Sequence, residues 1–199
     1  MGNENVMLLP HVRASLNEAG ITFRYHTADP ADFGDFASRL YQWTIKNGPL
    51  LVQSGALVVV RGINIRDALI VSSRVFHLNG AGVKIRTLDQ IAKTLRYGGE
   101  RREDLDDAVV LVVSPFQASR RGCPLSWAEL DAVETYVRSR VEQGKVVVLH
   151  WASERPFTET DPMYQWWDDD MMAWIQTSAL IVTEKSLPAM STDNNGSAS

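Results

Sequence analysis

Apolar residues fall into two kinds of pattern along this chain. Four runs are dense in β-branched and aliphatic residues with little polar alternation: ALVVV (56–60), AVVLVV (108–113), KVVVLH (145–150) and ALIVT (179–183). Such runs predict strands covered on both faces. A shorter run, VKIRT (83–87), predicts a further strand nearer an edge. Between the runs, apolar positions recur every three or four residues. Phe33, Phe36, Leu40 and Trp43 predict a helix over 32–47, stopped by Gly48 and Pro49. Ile70, Val71, Arg74 and His77 predict one over 67–79, with Gly80 after its end. Leu88, Ile91, Ala92 and Leu95 predict a short helix over 88–96. Ser126 and Glu129 have the spacing of a capping box, in which each side chain satisfies the other's backbone amide. The helix it opens carries Leu130, Val133, Val137 and Val141 and ends before Gly144. A last helix is predicted from Asp161 as cap and Pro162 in its first turn, carrying Met163, Trp166, Trp167, Asp170, Met171 and Trp174. Strands alternating with helices imply an α/β fold with a parallel sheet wrapped by helices. Such sheets bind ligands at the carboxyl ends of their strands, so the loops after Val60, Val113 and His150 are where chemistry is sought.

Composition narrows the class. A chain of 199 residues suffices for one domain and is short for two. With 45% hydrophobic and 22% charged residues it reads as an ordinary globular protein. A formal charge of -4 gives no global drive toward nucleic acid. The single cysteine, Cys123, cannot close an internal disulfide, which fits a reducing compartment. No motif pairs it with a histidine, so a catalytic thiol is not the preferred reading. No basic start with an apolar run marks a signal peptide, and Val6 stands where myristoylation wants Ser or Thr. No apolar stretch is long enough for a membrane span, so a cytoplasmic protein without membrane contact is expected. Three parts are expected: a short N-terminal segment over 1–15, the domain over 16–187, and a disordered tail over 188–199.

The phrase LNEAGITFRYHTADPADF (16–33) resembles the opening motif of DnaC/IstB-type AAA+ proteins, which load replicative helicases or assist transposases. Gly20, Ile21, Arg24, Tyr25 and Phe33 match the motif, and Thr22 replaces a proline. The order of elements that follows is also similar to that family, from about Leu16 to Lys185. The resemblance implies a P-loop NTPase-like (AAA+/RecA-like) parallel sheet sandwiched between helices.

The family's nucleotide-handling motifs are altered at four places. A phosphate loop needs glycines, a lysine and a hydroxyl. Here VRGINIRDAL keeps Gly62 but puts Ile63 and Ile65 where glycines belong, Arg66 at the lysine and Asp67 at the hydroxyl. β-branched residues resist positive φ, and an aspartate repels phosphate. Arg66 and Asp67 therefore read as a solvated pair opening a helix, in preference to a remodelled anion site. The acidic residue that should follow the second central strand to hold magnesium is replaced by Ser114 and Pro115. The third strand ends in His150, read as structural, where the family has small polar residues. The late helix WWDDDMMAWI carries no arginine where the family places its finger. ATP and magnesium binding, and therefore catalysis, are expected to be absent.

Arg101, Arg102, Arg120 and Arg121 are candidate DNA contacts, although solvated loops are the preferred reading. Asp168 to Asp170 cannot converge on one metal from adjacent helical positions, so no metal site is expected. Trp166, Trp167, Met171 and Trp174 read equally as a partner surface or as core. The expectation is a non-catalytic helicase-loader-like protein that binds a partner: a replicative helicase or an intact AAA+ ATPase, in replication or in mobile-element or phage biology. Two alternatives stay open. One is a DNA-binding accessory protein of replication or transposition. The other is an enzyme of unrecognised chemistry using His150 and Cys123.

Overall fold

The computed structural model describes residues 9–98, 100–114, 125–153 and 167–189, and of Glu100 and Arg101 the backbone alone. Five strands form one parallel sheet in the order β2-β3-β4-β1-β5, where β1 is Ala56–Arg61, β2 Val83–Arg86, β3 Val110–Val113, β4 Val146–Trp151 and β5 Ala179–Val182. In register, Val58 pairs with Val148 on one side and Leu180 on the other, and Val112 pairs with Val148. The β-branched runs thus become the centre of the sheet, as their lack of alternation requires. β5 departs from its sequence reading. It is an edge strand, and Leu180 is 48% exposed.

Helices cover both faces. On one lie α1 (Pro10–Ala19), α2 (Asp35–Ser54) and α3 (Arg66–Leu78), packed with Val58, Val60, Val112 and Val148. On the other lie α4 (Leu88–Tyr97), α5 (Glu100–Asp107), α6 (Trp127–Glu142) and α7 (Asp169–Ser178), with Leu57, Val59, Val147 and Leu149. α1 runs across the boundary drawn at Leu16 from the sequence, and residues 190–199 of the expected tail lie outside the described residues.

Three local readings change. The helix expected over 32–47 is broken at Gly34 into a 3-10 turn, Pro30–Phe33, and α2, which continues through Gly48 and Pro49 to Ser54. Gly48 is a contact rather than a stop: a Cβ there would lie 3.2 Å from the Phe76 ring of α3. Its place in the buried series Ala37, Leu40, Thr44, Gly48, Leu51 carries the helix on. The chain is instead turned at Gly55, whose φ of 68° and approach of 2.5 Å between a built Cβ and Gly144 backbone exclude any side chain. The charged phrase at 100–104 is helical, not a loop, as the start of α5. The last helix is capped by Asp168, whose side chain accepts from the Met171 amide at 2.7 Å, while Asp161 and Pro162 lie outside the described residues. The Ser126–Glu129 capping box is present in both halves, and Thr87 with Gln90 forms a second one that opens α4.

Candidate functional site

The loops after β1, β3 and β4 meet at the carboxyl edge of the sheet, and a single hydrogen-bonded chain joins them. Ser114, directly after β3, lies 3.3 Å from Nδ1 of His150, and Nε2 of His150 lies 3.2 Å from the Gly62 carbonyl oxygen. A carbonyl only accepts, so Nε2 carries the ring hydrogen and Nδ1 accepts from the Ser114 hydroxyl. Burial holds the imidazole below its usual pKa, against the Gly62 bond and with help from the Arg66 charge. It therefore sits neutral at pH 7. The Gly62 amide donates to the Trp151 carbonyl at 3.1 Å. Both backbone polar groups of this glycine are thus engaged by β4.

The β1–α3 loop is only Gly62 to Ile65. Its single left-handed non-glycine residue is Asn64, at φ 60°, a residue that tolerates that region. Neither isoleucine needs a positive φ. Ile65 turns inward, and its Cγ2 would lie 2.8 Å from a Cβ at Gly62. Ile63 is exposed.

Asp67 stands in the first turn of α3, where a carboxylate suits the helix dipole. Its partners are not Arg66, and the expected solvated pair is corrected here. The Arg24 guanidinium donates to Oδ2 at 2.6 Å and the Tyr25 hydroxyl to Oδ1 at 2.6 Å. Arg24 also lies over the rings of Tyr25 and Phe33, at 4.6 and 5.6 Å. Burial, then the Asp67 bond and charge, push the Tyr25 hydroxyl above its usual pKa. Below this clamp, buried Arg74 of α3 donates to the carbonyls of Tyr25 and Ala28, at 2.6 and 3.1 Å. The Arg-Tyr phrase before the sheet is thereby fixed to α3 on two levels. Arg66 is exposed and forms no ion pair with a described residue.

Beside the loop lies a cleft of about 810 Å³, walled by Asp32, Phe33 and Phe36, by the segment from Arg61 to Ala68 apart from Arg66, and by Thr183 to Lys185 after β5. The sequence reading did not name this cleft or the Arg24–Tyr25–Asp67 clamp. The phrase that contains Arg24 and Tyr25 was visible, but its contact with Asp67 spans over forty residues and has no local signature.

The remaining candidates separate. Arg102 is exposed and ion-paired with Asp106 at 3.6 Å, and Arg101 has only its backbone in α5 described. Arg120, Arg121, Cys123 and Trp166 lie outside the described residues. Trp167, just before α7, and Met171 within it are core, at 5% and 0% exposure, in one buried cluster with Leu57, Val59 and Val147 of the sheet. A partner surface through those two is corrected accordingly. Trp174 is half-buried, with the Arg138 guanidinium 5.3 Å from its ring centre.

No protein-family model and no curated protein matches the chain. Solved structures do. A crystal structure of the DnaC helicase loader aligns with TM-score 0.55 at 11% identity, covering 81% of this chain and 99% of that one. AMPPCP-bound DnaA from Aquifex aeolicus aligns with TM-score 0.57 at 13% identity, covering 82% of this chain and 50% of that one. The replication initiator DnaA bound to AMPPCP and single-stranded DNA aligns at 0.52 and 14%, covering 74% and 44%. The chain spans about half the length of the DnaA structures. The five-stranded parallel sheet with helices on both faces is the AAA+ P-loop NTPase-like fold, which these neighbours share with it. No helix among the described residues is long and apolar enough to cross a membrane.

Proposed function

We propose that this chain is an AAA+-type scaffold that neither binds nor hydrolyses ATP and acts by holding a partner protein in DNA replication or mobile-element biology. One observation carries the reading. Gly62, which would have to turn its amide to a phosphate, has that amide and its carbonyl bonded to Trp151 and His150, while Asp67 fills the hydroxyl position with a carboxylate already held by Arg24 and Tyr25. A triphosphate would meet a negative charge and no free backbone donor at that glycine. Similarity to the DnaC helicase loader supports replication as the setting, with a replicative helicase or an intact AAA+ ATPase as the partner class.

The DNA-accessory alternative gains nothing from α5, whose sequence carries five acidic residues, Glu100, Glu103, Asp104, Asp106 and Asp107, beside its two arginines. For an enzyme, Ser114 and His150 are close enough to interact, but both are buried and His150 is oriented by a carbonyl, not by a carboxylate.

The test is thermal melting with ATP and magnesium beside an assay for released phosphate. A ligand at a hundred times its dissociation constant adds about 2.7 kcal/mol to stability, which for a chain of this size raises the midpoint by roughly 5–10 °C. No shift and no turnover are expected. A shift of that size, or magnesium-dependent turnover that follows the protein through purification, removes the reading.

A further inference from the structure

The two edges of the sheet are built differently. β2 carries Lys84 and Arg86, both ion-paired to Asp104, and Lys84 also reaches the Glu18 carbonyl at the end of α1. Charges along an edge strand, and a helix beside it, block pairing with another chain. Among the described residues β5 has neither device. Its four residues are Ala, Leu, Ile and Val, β1 is its strand partner among the described residues, and Leu180 is 48% exposed. An uncharged edge strand with an exposed leucine is a template for another strand.

We propose that β5 pairs antiparallel with β5 of a second copy of this chain, joining two five-stranded sheets across a two-fold axis. The strand's own sequence selects this occupant. A two-fold axis normal to the sheet keeps like faces together, so opposed residues must share a face. Centred on Leu180, the pairing sets the two exposed leucines against each other and puts Ala179 of each copy opposite Ile181, small against large. Charge points the same way. In the antiparallel arrangement Val182 of one copy comes opposite Ser178 of the other and Thr183 opposite Thr177, so Glu184 and Lys185 run toward Gln176 and Ile175, which are uncharged. In-register parallel pairing would instead align Lys185 with Lys185 and Glu184 with Glu184.

Sedimentation across a concentration series tests this. The wild-type chain is expected to reach twice the chain mass. Leu180→Lys sets two ammonium groups on the axis and removes the leucine contact, weakening the dimer about tenfold or more. Its monomer should melt as the wild type does, because position 180 faces solvent there. Trp127→Lys, at an exposed position on α6, leaves dimerisation unchanged. Hydrogen exchange provides a readout that needs no variant: amides in 179–182 should exchange more slowly as concentration rises. A wild-type chain that stays monomeric throughout overturns the proposal. So does a dimer that survives Leu180→Lys but is lost in Trp127→Lys, or β5 exchange that ignores concentration.

Discussion

Replacing Asp67 by alanine tests whether the clamp at the start of α3 is a working part of the fold. The variant removes three contributions. The buried Tyr25 hydroxyl loses a charged acceptor at 2.6 Å, a loss of about 1.5–3 kcal/mol for a hydrogen bond to an ionised group. The Arg24 pair is half in solvent, with side-chain exposures of 59% and 42%, so screening limits it to roughly 0–1 kcal/mol. The carboxylate in the first helical turn adds about 0.3–1 kcal/mol. The sum, about 2–5 kcal/mol, corresponds to a melting midpoint lowered by roughly 4–20 °C for a chain of this length. Circular dichroism melts of the wild type, Asp67→Ala, Tyr25→Phe and the double variant form a cycle. The coupling between Tyr25 and Asp67 is expected at about 1–2 kcal/mol, inside the range for residues in direct contact. Asp67→Asn, which keeps an acceptor, should fall between wild type and Asp67→Ala. Additive effects of the two substitutions, or a midpoint drop under about 2 °C, a fraction of what the lost bonds imply, would refute the argument that Asp67 serves the fold from within.

Two further outcomes follow from the same geometry. His150 has its folded pKa held below the unfolded value of 6.5, so its contribution to stability is present above that value and is lost as pH falls through the folded one. The urea midpoint should therefore decline below pH 6.5, with a smaller decline in His150→Gln; His77, lowered by burial and by the Lys84 charge, supplies part of the remaining slope. Met171 is fully buried under the sheet, so Met171→Ala should cost about 2–5 kcal/mol, whereas an interface residue would leave denaturation of the isolated chain unchanged.

The parallel sheet was legible because its strands are unbroken β-branched runs, and the helices flanking it because their apolar residues repeat at three and four. Where the reading failed, a tertiary contact overrode a local rule. Gly48–Pro49 looks like a stop, yet the Phe76 ring needs the space at Gly48, and Leu51 extends the buried stripe one turn further. The tryptophan-rich phrase looked as much like a docking face as like core. The sequence did not show that Met171 and Met172 would join Trp151 and Leu149 in one buried cluster. The positions in the site were found by alignment to a motif, but their partners were not. Ser114 and His150 are 36 residues apart, and Gly62 is 88 from His150, so nothing local joins them. His150 has both ring nitrogens engaged, by Ser114 and by the Gly62 carbonyl.

A phosphate loop of the usual kind leaves donors for its ligand to satisfy, and the free protein must keep them wet or strained until it arrives. In this chain the ring nitrogens of His150, both backbone groups of Gly62, the hydroxyl of Ser114 and the carboxylate of Asp67 already have partners within the chain. Breaking even one such buried pair costs about 1–3 kcal/mol before a ligand makes a contact. Opening the loop would break several together, since Gly62 moves with both Trp151 and His150. The β1–α3 loop thereby acts as a fixed corner between β1, β4 and α3. On the proposed reading this rigidity is what the fold contributes, a scaffold whose shape does not change with the nucleotide supply. The cleft between Phe36 and Glu184 borders this network, since Gly62 and Asp67 stand in its wall with their polar groups already engaged.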